Sequence, residues 1–255
     1  MIATHTAQAE ALHYDRPDDG LGREVAAQIS VNQLKNWSRC KKKFYYESVK
    51  KLRWPSDPSN FRLGQAVHKL LDYQARGLDC QHLLTGTQAD IRQSWQVIAS
   101  SHWVQLPIIA NEWGFTVPLS TPLPQPVWLV GRVDRIAQMP SGHIAIIDWK
   151  TGTAVPKDAA NAWQTLVYWY AIYEARTVLG LEETLAPEQF QFVYVEVREQ
   201  VRAITLPYSA KQHASTQALL QQTITEMLSA EDYPLPARCP DRFCPYRSIC
   251  GIEAR

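Results

Sequence analysis

The stretch VGRVDRIAQMPSGHIAIIDWKTG, residues 130–152, decides how this chain is read. Two apolar runs flank Pro140-Ser141-Gly142, a three-residue hairpin loop in which proline opens a type I turn and glycine supplies the left-handed residue of a bulge. Met139 then faces His143, and counting outward sets Asp134 opposite Asp148 on one face, with Cβ atoms roughly 5 Å apart. Lys150 shares that face, while Ile147 and Trp149 point the other way into a core. Two facing carboxylates repel unless a proton or a cation lies between them, and a divalent metal satisfies both. The competing reading is a solvent-facing acid pair with Lys150 as its counter-charge.

At 255 residues the chain can bury a real core, as one large domain or one domain with small appendages. With 26 basic and 25 acidic residues, its net charge neither demands nor excludes nucleic acid. Locally, Lys35, Arg39, Lys41, Lys42, Lys43, Lys50, Lys51 and Arg53 crowd one segment against Glu47, with aromatics interleaved. That run fits phosphate contact as well as it fits a solvated helix face. No apolar segment approaches a membrane span and the N-terminus lacks a signal-peptide pattern, so the expected location is cytoplasmic. In a reducing compartment the five cysteines point to thiolate–metal chemistry or isolated thiols rather than disulfides.

Residues 1–28 show no sustained period and read as a flexible arm. Ser30 and Gln33 form a capping box, with Ile29 and Leu34 at staple spacing, and open a helix expected to carry Cys40. After the break WPSDPSN comes a second helix, FRLGQAVHKLLDYQARG, stopped at Gly77. Residues 81–103 look helical through Ile91, Trp95 and Ile98, and 104–150 read as short extended runs between proline-rich joints. A long helix ending at Gly180, a hairpin of FQFVYVEV and RAITLPY, and a helix from Ser209 to about residue 231 complete the order. The alternation predicts an α/β fold with a central mixed sheet flanked by helices.

Four further signals carry chemistry. His68 in GQAVHKLLD would by itself be a core or surface residue; Gly64, one turn earlier, allows close packing or substrate approach. Gln164 and Tyr168 project from one face of the helix after the hairpin, and a buried amide there needs several partners. Cys239, Cys244 and Cys250 form a C-x4-C-x5-C run that indicates a metal or cluster site, whose fourth ligand the spacing leaves open between Cys40 and Cys80. Glu112, in NEWGF, precedes the hairpin and is a candidate support for a metal.

GQAVHKLLD, VGRVDRI, IIDWKTG and QTLVYWY, in this order, resemble the RecB-like nuclease domain of the PD-(D/E)XK superfamily, with its restriction-endonuclease-like core, over most of residues 29–250, which implies one nuclease domain at 29–255. The cysteines resemble its iron–sulfur subgroup, which includes the AddB-type and CRISPR-associated nucleases. The resemblance implies a deoxyribonuclease in which His68, Asp134, Asp148 and the Trp149 carbonyl hold Mg²⁺ or Mn²⁺, Lys150 orients the attacking water, and Gln164 and Tyr168 position the DNA backbone. It further implies a 4Fe-4S cluster on Cys40, Cys239, Cys244 and Cys250, leaving Cys80 as an ordinary thiol. DNA that is single-stranded or has free ends is the expected partner, with Lys41, Lys42 and Lys43 in contact with it. There is no Walker A pattern, so a helicase motor would act in trans. The sequence departs from the family in reading C-x4-C for C-x2-C and Asp-Trp-Lys for Glu-x-Lys. Two other classes compete: a non-catalytic DNA-binding module of the same fold, and a zinc-binding structural protein.

Overall fold

The computed structural model describes residues 26–55, 61–151 and 154–252. Six strands form one mixed sheet: β1 (Ala27–Ser30), β2 (Ile108–Leu119), β3 (Val127–Gln138), β4 (Ile144–Thr151), β5 (Phe190–Val197) and β6 (Val201–Pro207). Helices α1 (Val31–Arg39) and α2 (Lys41–Phe44) precede α3 (Arg62–Ala75), α4 (Gln81–Leu84), α5 (Ala89–Ala99) and α6 (His102–Gln105). The chain then supplies α7 (Trp163–Glu174), α8 (Ala210–Leu228) and the short α9 (Arg247–Cys250). The mixed sheet flanked by helices is the architecture expected, and among the described residues no helix is long and apolar enough to cross a membrane.

Local chemistry explains several boundaries. The capping box of Ser30 and Gln33 is present, and Ile29 and Leu34 are buried. That helix stops at Arg39: Cys40 is extended, and its thiol accepts from the Lys43 amide at 3.4 Å, so the cysteine caps α2 instead of riding on α1. Of the arm expected at 1–28, Ala27 and Gln28 instead pair in parallel with Val127 and Trp128 in β1; residues 1–25 lie outside the described part. The short extended runs expected before the hairpin are instead two long strands, β2 and β3, whose antiparallel pairing tolerates Pro118. The helix expected to run to Gly180 ends earlier, at Glu174.

Alternation along β3, β4 and β5 sorts the core into two layers. Ile136, Ile146, Phe192 and Tyr194 pack beneath α1, α7 and α8, whereas Ala137, Ile147, Trp149, Val193 and Val195 pack against α3, α5 and α6. Because β4 and β5 are covered on both faces, both read as near-continuous apolar runs, as parallel neighbours do.

One contact ties the sheet to the helix above it. Gly131 pairs with Phe115 across β2 and β3, and the ring lies over the glycine so closely that an added Cβ would sit 2.5 Å from it. Phe115 cannot swing aside, since it is buried and packs edge-to-face on Tyr168 of α7 at 5.7 Å. Gly131→Ala should therefore cost about 1–3 kcal/mol through overpacking, read as a lower Tm of the metal-free protein. An unchanged Tm would show that the ring is not held.

Candidate active site

The opening hairpin has the expected register. The Met139 amide donates to the His143 carbonyl at 2.8 Å, and the ladder runs outward through Gln138/Ile144, Ala137/Ala145, Ile136/Ile146 and Arg135/Ile147. Asp134 and Asp148 come next, and there β4 parts from β3 while remaining paired with β5 as far as Thr151. Hydrogen-bonded pairs alternate in an antiparallel ladder, so Val133 and Trp149 would have been the next to exchange bonds. Side chains take over the groups so released. The Trp149 amide donates to Asp134 Oδ2 at 2.9 Å, and the Trp149 carbonyl is met by His68 Nε2 at 3.1 Å. Buried backbone polar groups must be satisfied, so opening the sheet itself calls for a carboxylate and an imidazole at this point.

His68 arrives from α3, on the opposite face. Gly64, one turn earlier, lets that helix approach: a Cβ there would lie 3.2 Å from Thr151 Oγ1, which supports the close-packing reading of the glycine. With Nε2–H given to Trp149, Nδ1 faces Asp134 Oδ1 at 3.6 Å and Glu112 Oε1 at 3.8 Å. His68, Glu112 and Asp134 bring ligand atoms within 4.8 Å of one another, a spacing at which one cation can bridge them. Glu112 gets there through strain. It sits in β2 between the Asn111/Arg135 and Trp113/Val133 pairs with φ of 46°, a left-handed conformation costing a glutamate on the order of 1–3 kcal/mol.

Asp148 lies outside that trio. Its Oδ2 is 2.6 Å from Lys150 Nζ, and its Oδ1 accepts a short hydrogen bond from Gln164 Nε2, whose own Oε1 accepts from Lys150 Nζ at 3.1 Å. The buried amide thus finds its partners in a closed triangle of Asp148, Lys150 and Gln164. Tyr168, one turn on, donates from its hydroxyl to the Arg132 carbonyl at 2.8 Å and so braces α7 on β3.

Two cations to which the sequence assigned no part in the site stand close to it. Arg135, completely buried, donates to Asn111 and to the Val104 and Leu71 carbonyls at 3.0, 3.3 and 3.1 Å, and lies over the Trp149 ring. Burial pulls its pKa down to about 10, leaving it charged at neutral pH behind the acids, with Asp134 helping to hold the proton. Lys35, on α1, has its pKa lowered by burial and then by the charge of Lys150, which puts its ammonium in electrostatic reach of the same site. The expected DNA contacts have intramolecular partners: Lys41 lies over Trp37, Lys42 over Tyr45, and Lys43 pairs with Glu47 and Asp241.

Electrostatically the site retains protons. Burial and the neighbouring Asp148 raise Asp134 to about 7. Burial alone would lower His68, but the Glu112 and Asp134 carboxylates and the Trp149 carbonyl outweigh it and raise it to about 9. A bound dication would replace these protons, so affinity should rise with pH.

Residues 28–251 match the sequence model of the PD-(D/E)XK nuclease superfamily. The chain belongs to that superfamily. Among solved structures, a "Putative exonuclease" from Eubacterium rectale is similar at 15% identity and a TM-score of 0.52, with 87% of each chain covered. SSO0001 is similar at 15% identity and a TM-score of 0.40, covering 82% of this chain and 80% of its own. No curated protein matches the sequence. As a PD-(D/E)XK nuclease chain, the protein presents its acids, histidine and lysine where its central sheet opens.

Asp134 and His68 both have folded pKa values above their ordinary ones, so the folded state holds the extra protons. Stability of the metal-free protein is then greatest below about pH 4 as far as Asp134 is concerned, and falls as pH rises through about 7 and then about 9. In EDTA at pH 8, Asp134→Asn should raise Tm by roughly 2–4 °C or more, while Mg²⁺ should stabilise the wild type and not the variant. A lower Tm for the variant in EDTA would refute this charge balance.

Proposed function

We propose that the chain is a Mg²⁺- or Mn²⁺-dependent deoxyribonuclease acting on DNA with single-stranded or free ends, and that residues 29–255 form one nuclease domain. The observation that carries the reading is the joint placement of His68, Glu112 and Asp134 beside the Asp148–Lys150–Gln164 triangle. His68, Asp134, Asp148 and the Trp149 carbonyl would hold the ion, with Glu112 as an additional carboxylate. These hard oxygen donors and one imidazole suit such a cation, and the raised pKa of Asp134 reflects the same need for positive charge. When bound, the ion would lower the pKa of a water and polarise a phosphate oxygen.

The chain's own residues supply the remainder. Lys150 donates toward the attacking water and offsets negative charge growing on the phosphate. Gln164 fixes the lysine and Asp148 relative to each other, while Tyr168 keeps α7 seated on β3. A binding module that had lost catalysis has no use for a buried lysine–carboxylate contact, which costs desolvation. Asp148→Ala and Lys150→Ala should each reduce cleavage of end-labelled DNA by about three powers of ten or more. Calorimetric Mg²⁺ binding should weaken for Asp148→Ala and change much less for Lys150→Ala. A variant that cuts at near the wild-type rate would overturn these roles, and wild type that binds DNA yet never cuts would favour the binding module.

We further propose that Cys40, Cys239, Cys244 and Cys250 hold a 4Fe-4S cluster. All four are free thiols; Cys239 and Cys244 are buried with Tyr246 against Cys250, and Cys250 lies in electrostatic reach of Cys40 and Cys239. Cys80 lies in the other core layer and donates to the Leu70 carbonyl. Burial raises the thiols of Cys244 and Cys250, so ligation must expel protons. Such a cluster would tie the start of α2 to the C-terminal segment, restricting the unfolded chain. Cys40→Ala should lose iron and several degrees of Tm, whereas Cys80→Ala should keep its iron. The reverse pattern would refute the ligand set.

A further inference from the structure

A cleft of about 690 Å³ opens from the candidate metal site between α3 and the strands β2 and β3. Along α3, Phe61, Gln65 and His68 line it at intervals of four and three residues; Glu112 and Arg132 form the facing wall. Phe61, at the start of the helix, is 54% exposed and lines this cleft. Single exposed aromatics are common, but this one shares a helical stripe with His68 and lines the same cleft. Seven residues at 1.5 Å each separate the two by roughly 10 Å along the helix axis.

We propose that Phe61 is a stacking platform for an unpaired base, which makes the cleft a receptor for a single DNA strand in preference to paired duplex. The identity of the ligand rests on the nuclease reading above. A phosphate at the His68 end places the ring of Phe61 beside the base of an adjoining nucleotide, not of the one being cut. Lys69, which also lines the cleft, and Arg132, whose side chain is 69% exposed and only loosely paired with Glu112 at 3.8 Å, supply cations for the backbone on either wall. Arg76 contributes less, since its guanidinium is taken up by Asp72 at 2.8 Å. The apolar ring is what confers selectivity. In duplex DNA both faces of a base are already stacked, so Phe61 gains a partner only from a base that is unpaired or has been freed at unstacking cost.

The test uses the full chain carrying Lys150→Ala, with Mg²⁺, and a short single-stranded oligonucleotide containing 2-aminopurine beside a blunt duplex of the same sequence. Adding Phe61→Ala should raise Kd for the single strand about tenfold, the size expected for losing one stacked base. It should also relieve quenching of the 2-aminopurine, while the duplex Kd stays within about twofold. Phe61→Trp should bind the single strand at least as well as the parent and keep the quenching, and Phe61→Leu should behave as the alanine variant does. An unchanged Kd in Phe61→Ala, an equal loss on duplex, or full rescue by leucine would each overturn the proposal. The protein with Lys150 intact is assayed for cleavage of the same oligonucleotide with Mg²⁺ and Mn²⁺. Failure there would count against the nuclease reading alone, because the stacking readout is measured in binding.

Discussion

The site depends on one interruption of the sheet. Between Arg135/Ile147 and the absent pairing of Val133 with Trp149, β3 and β4 separate, and the Trp149 amide and carbonyl pass from backbone partners to Asp134 and His68. A carboxylate and an imidazole so held have fixed orientations before any substrate or ion arrives, which is the preorganisation that electrostatic catalysis requires. The same parting leaves Asp148 and Lys150 on a strand still anchored by β5, so the two halves of the site stand on separately supported strands.

Concentrating charge inside a sheet needs compensation from several directions. Arg135 sits behind the acids, bonded to Asn111 and to carbonyls of α3 and α6, so the cation that steadies Asp134 also ties down the helix carrying His68. Lys150 neutralises Asp148 from the front, and Lys35 adds positive charge from α1. What remains uncompensated appears as protons retained by Asp134 and His68, the charge deficit that a dication would fill. The strained backbone of Glu112 fits this pattern, since it brings a third carboxylate beside His68 and Arg132 at the same place.

Packing transmits these placements. Gly131 admits the Phe115 ring, the ring seats Tyr168, and Tyr168 sets the turn of α7 from which Gln164 reaches Asp148 and Lys150. On the other face, Gly64 lets α3 close on Thr151 so that His68 reaches the break in the ladder. Gly131 allows an approach that a side chain would block, and Gly64 one that a side chain would crowd.

Much of this was legible in the chain itself. The hairpin register as far as Arg135/Ile147 followed from Pro140-Ser141-Gly142, because a three-residue loop sets hairpin register locally, whereas the ladder does not continue to the expected pairing of Asp134 with Asp148. The capping box at Ser30 and the stop at Gly77 were equally local. Other features were not, each for a non-local reason. The role of Glu112 depends on its left-handed backbone within β2, which a strand pattern in sequence does not announce. Arg135 alternates with apolar neighbours and is satisfied only by carbonyls from distant helices, while Phe61 belongs to a cleft whose far wall lies in β2 and β3. Turn and cap chemistry act over a few residues and can be read in sequence, whereas the partners of a buried charge and the walls of a cleft exist only once distant segments have packed.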